Sequence, residues 1–201
     1  MALLAVSIFA AVGCGKRGAP VPPKERVSQR AELAGFQRGN QVILSWQMPA
    51  RNAPAGNVQH IARIDVYRLA EPADAPLQLS TEQFADRSTL ITTIPVTAAD
   101  FGLKTLQYRD TLLFATQSAR LRYALRYVNE AGQKAAFSNA LVIEPAAKVA
   151  SAPASLSGEP TQDAVILKWN APAANIDGTT PVNVLGYNIT AQYLRKNRRS
   201  C

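Results

Sequence analysis

Val42-Ile-Leu-Ser-Trp46-Gln-Met-Pro49 returns 123 residues further on as Val165-Ile-Leu-Lys-Trp169-Asn-Ala-Pro172, and the same offset lays Val66 on Ile189. Each copy is a run of β-branched and aliphatic residues that carries one tryptophan and stops at a proline. Proline has no backbone N–H to donate, so it marks where a strand inside a sheet must end. A tryptophan in such a strand buries a large apolar ring and points to a core. The chain therefore holds two copies of one β unit, and this repetition is its strongest organising signal.

Outward from the first copy, Ile64-Asp-Val-Tyr67-Arg alternates apolar and polar side chains. Leu121, Tyr123, Leu125 and Tyr127 share one parity, with Arg122 and Arg126 on the other. A period of two is the pattern of a half-buried strand. With 47% hydrophobic residues, 18% charged residues, 13 Pro and 11 Gly, the 201-residue chain has the composition of a folded protein,. It shows no sustained helical periodicity, so strands joined by turns make it all-β. In residues 70–99, Pro72, Pro76 and Pro95 predict loops around one edge strand at 90–95,.

In these segments the chain resembles the fibronectin type III family. Leu44, Trp46 and Pro49 match the Leu-x-Trp-x-x-Pro of its strand B, and residues 64–68 match strand C. Tyr108-Arg-Asp110-Thr resembles the strand E segment of bacterial members, and Tyr123-Ala-Leu125-Arg-Tyr127-Val-Asn129-Glu-Ala-Gly132 resembles strand F and its turn. Residues 137–143 supply strand G. The resemblance implies an immunoglobulin-like, fibronectin type III β-sandwich over residues 27–145, with Trp46 and Tyr123 in its core and Tyr123 at the tyrosine-corner position. Small residues at 146–155 read as a linker. Residues 156–201 then read as a partial second module with equivalents of strands A, B and C, and with Trp169 as its core residue. Nothing in it corresponds to Tyr108, Tyr123 or Asn129. The expectation is a truncated second module from a shortened reading frame, not stable by itself, because a half-sandwich cannot bury enough apolar surface to offset the entropy of ordering it.

The first twelve residues are uncharged and almost wholly apolar, and they run into Gly13 and Cys14. Such a run has the length of a signal-peptide core and is too short to span a bilayer, which takes about 20 residues as a helix. Ala11-Val-Gly-Cys14 resembles the bacterial lipobox, which implies a signal peptide over 1–13 and a lipid, such as palmitate, on Cys14. Ala11 stands where that family prefers leucine, and no basic residue precedes the apolar run. Residues 14–26 include Pro20, Pro22 and Pro23 and read as an extended tether,. Cys14, Gly15, Arg17, Gly18, Pro22 and Pro23 also resemble the opening of small outer-membrane lipoproteins associated with lipopolysaccharide-translocon assembly. That likeness implies a cell envelope with two membranes, and Gly15 after the cysteine favours the outer one over the inner.

The net charge of +8 raises the question of nucleic acid,. Lys16, Arg17, Lys24, Arg26, Arg195, Lys196, Arg198 and Arg199 lie at the two ends. Residues 27–194 carry 14 basic against 13 acidic side chains, which leaves no excess for a basic face, so nucleic acid is not an expected partner,. His60 is the only histidine and Cys201 the only cysteine besides Cys14, too few for a zinc site,. His60 reads as a solvated strand-edge residue. Asp100, Asp110 and Glu130 read as turn and surface carboxylates. Arg63, Arg68, Arg120, Arg122 and Arg126 read as an outward, solvated face. No catalytic residue, metal or cofactor is expected. The function expected is a membrane-anchored envelope lipoprotein whose modules bind an envelope protein or glycan, or act as spacers. The alternative is an accessory module of a carbohydrate-active or lipopolysaccharide-handling system, with sugars stacking on Phe84, Phe101 or Phe114.

Overall fold

The structure, a computed structural model, describes residues 27–112, 119–182 and 184–190. The signal peptide, Cys14, the tether, Phe114 and Cys201 lie outside the described residues. The strands are β1 (Leu33–Arg38), β2 (Gln41–Gln47), β3 (Arg63–Pro72), β4 (Thr89–Pro95), β5 (Thr105–Thr111), β6 (Ala119–Val128), β7 (Leu141–Ile143), β8 (Ala154–Pro160) and β9 (Val165–Asn170), with one helix, α1 (Thr81–Arg87). All strand pairs are antiparallel. The all-β class read from the composition is the class observed.

One sheet has the order β1-β2-β5 and the second β4-β3-β6-β7. Both send alternate residues into a common core: Val42, Leu44 and Trp46 from β2, Ile64 and Val66 from β3, and Leu121, Tyr123, Leu125 and Tyr127 from β6. Trp46 is only 2% exposed. Its indole N–H finds no acceptor among the described residues, so the ring contributes through packing,. Where β1 passes β7, Gly35 permits the approach, since a Cβ there would stand 2.7 Å from the Ile43 carbonyl oxygen and 2.8 Å from Leu141,. Asn139 closes the same side. Its amide accepts from Leu33 N at 2.7 Å and donates to Leu33 O at 2.8 Å, standing in for a missing strand partner. Strand G is shorter than read from the sequence, because only 141–143 join the ladder and 137–140 serve other contacts.

The outward face of the second sheet is covered too. Tyr67, Leu69 and Ala124 meet Phe84 of α1 and Phe137 in a second apolar cluster. The Phe137 ring takes Tyr67 and Phe84 edge-on at 5.2 and 5.3 Å. Helix α1 corrects the reading of 70–99 as loops around one strand. It starts at a capping box in which Ser80 Oγ accepts from Gln83 N at 3.2 Å and Gln83 Oε1 accepts from Ser80 N at 3.0 Å,. The expected half-buried strand is therefore buried on both faces, and Arg120 and Arg122 are each 5% exposed.

Strands β8 and β9 form a separate two-stranded sheet. It copies the β1–β2 register: Gly158 faces Leu167 as Gly35 faces Leu44. Two readings change here. Residues 184–190, which include the expected strand C equivalent at Ile189, form no strand. Trp169 is half-buried, with Tyr187 edge-on at 5.1 Å, and is not enclosed as Trp46 is. The stretch 146–155 is also more than a linker, since β8 begins inside it and Val149 O accepts from Ile176 N at 2.8 Å.

Trp46→Ala removes the largest side chain of the core. It should destabilise the protein by about 3–5 kcal/mol, read as a lowered midpoint of urea unfolding. An unchanged midpoint would show that the ring does not organise the core.

Candidate functional site

Three connections meet at one end of the paired sheets because of strand register. Gln47 of β2 lies across from Thr105 of β5, and Arg63 of β3 lies across from both Pro95 and Val128. The β2–β3 loop, the β4–β5 connection and the β6–β7 turn therefore emerge side by side. They are tied together by polar contacts. Asn52 Oδ1 accepts from Ile61 N at 2.9 Å and its Nδ2 donates to Ile61 O at 3.0 Å, closing the first loop on itself. Asn129 Nδ2 donates to Val58 O at 3.0 Å, joining the β6–β7 turn to that loop. Gly56 N donates to Glu130 Oε2 at 3.2 Å across the same gap.

His60 belongs to this network. It is a half-buried loop residue ahead of β3, with Nδ1 2.6 Å from Ala53 O and Nε2 3.6 Å from Glu130 Oε1, which corrects its reading as a solvated strand edge. On the other flank, Gly102 N donates to Pro49 O and Ala50 O, and Asp100 caps the short turn Ala98–Asp100 through Thr97 N at 2.7 Å. The Thr97 backbone and hydroxyl donors hold the Asp100 carboxyl below its usual range,. Ala50, Arg51, Asn52, Ala98, Phe101 and Gly102 line a shallow cleft of about 440 Å³. Beside it, Leu103 adopts a left-handed backbone, φ +60°, with its side chain 56% exposed. That conformation is costly for a branched residue and places an apolar tip in solvent next to the cleft.

The opposite end holds a buried carboxylate paired with a half-buried guanidinium. Asp110 is buried, contrary to its reading as a surface carboxylate. It accepts from Tyr123 Oη at 2.7 Å and from Arg68 Nη1 at 2.8 Å. Burial, then the hydrogen bond and charge of Asp110, push the Tyr123 phenol well above its ordinary value, so it stays protonated and acts as a donor. Burial opposes the Arg68 cation most strongly, but the hydrogen bond and charge of Asp110, joined by Tyr123, together outweigh it and raise Arg68. Tyr123 thus bonds a carboxylate on the facing sheet, where the tyrosine-corner reading placed a backbone acceptor.

The arginines read as a solvated face are engaged. Arg122 Nε reaches the buried Glu71 Oε1 at 2.5 Å, and Arg120 Nη1 lies 3.8 Å from the same oxygen. Arg120 also bonds Glu144 at 2.9 Å and the carbonyls of Ala73 and Ala75. Arg126 lies over the rings of Tyr67 and Phe137 at 4.6 and 4.3 Å and donates to Tyr67 Oη at 2.6 Å,. Arg63 pairs with the buried Asp65 at 3.1 Å. Phe84 and Phe101 are buried, so neither offers a sugar a face on which to stack. Among the described residues no three His, Cys, Asp or Glu side chains converge as metal ligands.

The sequence reading missed Glu71 and Asp110 as buried partners. Glu71 extends the β3 alternation that opens with Asp65 and Tyr67, and it meets Arg120 directly across from β6. That cross-strand charge match was the available signal.

No family model and no curated protein matches the chain. Solved structures with some likeness include a pectate lyase from Pectobacterium carotovorum, at 24% identity over 61% of this chain and 28% of that one, with a TM-score of 0.33. A pectate lyase from Erwinia chrysanthemi in complex with tetragalacturonic acid is 17% identical over 62% of this chain and 31% of that one, with a TM-score of 0.35. A hypothetical protein from Pyrococcus horikoshii is 13% identical over 59% and 90% of the two chains, also at 0.35. The chain thus spans less than a third of the length of either lyase.

Two outcomes follow for the buried polar groups. Glu71→Gln leaves the buried Arg122 guanidinium without its anion, while Arg120 keeps Glu144, and should cost about 3–5 kcal/mol,, measured by urea unfolding at neutral pH. Burial pushes Tyr127 from its ordinary 10.0 up to about 12. The folded state holds its proton more tightly, so this stabilisation is complete below pH 10 and is lost as pH climbs from 10.0 to about 12,. Melting temperatures across that window should fall less steeply for Tyr127→Phe than for the parent.

Proposed function

We propose that this chain is a secreted bacterial envelope lipoprotein, held to the outer membrane through a lipid on Cys14, whose fibronectin type III-like sandwich is a non-catalytic binding or spacer module. The observation that carries the reading is the N-terminal one: an apolar run ends at Gly13-Cys14, and a proline-rich stretch separates that cysteine from Val27, the first of the described residues and part of the core. A lipid on Cys14 needs such a spacer to keep a folded unit clear of the headgroups. Among the described residues no helix is long and apolar enough to cross a membrane.

The sandwich identity is supported by the sheets. In a constant-type immunoglobulin domain the fourth strand joins the sheet of the first, second and fifth. Here β4 pairs with β3, which gives three strands facing four. Trp46 on the second strand and Tyr123 on the sixth occupy the core positions that the fibronectin type III resemblance assigns. The buried carboxylates Asp65, Glu71 and Asp110 are each paired with an arginine, and the Tyr123 phenol is held protonated, which suits a scaffold more than an acid–base site,. The loop end, with the exposed Arg51, Leu103 and Glu130, is the part free to meet a partner,. Burial of Phe84 and Phe101 counts against sugar stacking on those rings.

Cys14→Ser should move the protein from the membrane to the soluble envelope fraction, and the parent should incorporate labelled palmitate while the variant does not. Membrane retention of a cleaved, unlabelled variant would remove the anchor from the proposal.

A further inference from the structure

Among the described residues the outer edge of β9 has no strand partner, although its counterpart in the first unit has one. In β2 the equivalent residues use that edge to bond β5, with Leu44 opposite Tyr108 and Trp46 opposite Leu106. In the second unit no described strand takes the place of β5. Antiparallel pairing alternates bonded and non-bonded positions. Thr161 N donates to Ala164 O at 2.7 Å at the turn. Counting from there, Glu159–Ile166 and Ser157–Lys168 are the bonded pairs of the β8–β9 ladder. Val165, Leu167 and Trp169 therefore aim their backbone N–H and C=O groups away from β8, along the free edge.

We infer that this edge pairs with the same edge of a second copy of the chain, building a continuous β8-β9-β9-β8 sheet about a two-fold axis at Leu167. Three features favour a second copy over a different partner. A two-fold axis makes identical strands antiparallel, and centring it on Leu167 sets Leu167 against Leu167 and Val165 against Trp169. Those are the positions whose backbone groups point outward, so each pair can exchange both hydrogen bonds. The side chains agree with the register. Val165, Leu167 and Trp169 of both copies share one face, which places a β-branched residue beside an aromatic ring, a favourable cross-strand pair. On the other face Lys168 falls opposite Ile166, so no like charges meet, and Lys168 keeps its own partner Glu159 at 3.1 Å.

The need is also visible. Val165 is 64% exposed, Ile166 46% and Leu167 38%, whereas Val42 and Leu44, their counterparts in β2, are fully buried. A two-stranded sheet is marginal in water, and three or more strands are needed for independent stability. An edge free of proline and of inward charge is open to such pairing.

Sedimentation equilibrium of the purified full chain should show a monomer–dimer equilibrium. Leu167→Lys and Leu167→Glu each set like charges face to face at the axis and should weaken the dimer at least about tenfold. An equimolar mixture of the two should recover a mixed dimer, because opposite charges then meet. Leu167→Cys in a Cys201→Ser background gives a second readout that needs no loss of stability. Bonded antiparallel partners lie about 5.5 Å apart at Cα, within the range a disulfide spans, so mild oxidation should give a dimer cross-linked at position 167, mapped by mass spectrometry. A parent that stays monomeric up to its solubility limit overturns the inference. So do charged variants that dimerise like the parent, a mixture that fails to associate, or a cross-link absent from position 167.

Discussion

Strand β6 has no face left for solvent, and most of the structure answers to that constraint. Tyr123, Leu125 and Tyr127 enter the core shared by the two sheets, while Arg120, Arg122 and Arg126 alternate with them toward the other side. A guanidinium cannot be removed from water without an anion or a set of acceptors. Glu71 therefore stands beneath Arg120 and Arg122 on β3, the carbonyls of residues 73, 75 and 76 turn in to meet them, and Arg126 settles on two aromatic rings. The chain between β3 and β4 is thereby shaped into a cover. Helix α1 exists where it does because Phe84 must reach Phe137 over that buried layer.

The two ends of the paired sheets are secured by different chemistry. At one, the buried Asp110 gathers a phenol and a half-buried guanidinium, and each hydrogen bond to its charge contributes more than a neutral one,. At the other, neutral amides hold the loops: Asn52 on Ile61, Asn129 on Val58 and Gln133. The amide end keeps its charged side chains, Arg51 and Glu130, at the surface, where Glu130 also accepts from Gly56 N at 3.2 Å.

Much of this was legible from local pattern. Strand parity around Trp46 and Tyr123 and the proline stop identified β2, β3 and β6 because a period of two is a property of a strand and its immediate neighbours, while β5 came from the family resemblance. Helix α1 escaped because one amphipathic turn or two is too short for periodicity, although Ser80 and Gln83 carry a capping signal. The arginines were misread for a different reason. Alternating Arg on a strand looks the same whether the far side is water or a second layer, and only the position of residues 73–87 in space decides between them. Asp110 was misread likewise, since its burial depends on β3 and β6, which are remote in sequence. The candidate loop end was not legible at all, because it is a product of register between strands that lie far apart along the chain.

The repeat separates these two kinds of information inside one molecule. Val42-Ile-Leu-Ser-Trp46 and Val165-Ile-Leu-Lys-Trp169 make the same hairpin in the same register, with a glycine across from the central leucine in both. Hairpin pairing is therefore encoded within about fifteen residues and needs no distant help. Burial is not encoded there. Trp46 is enclosed because β3 and β6 supply the opposing layer, whereas Trp169 is half-buried with Tyr187 edge-on beside it. One motif thus gives a core strand in one setting and an exposed edge in the other. What a sequence of this kind does is decided less by the motif than by whichever strands, from its own chain or another, arrive to cover it.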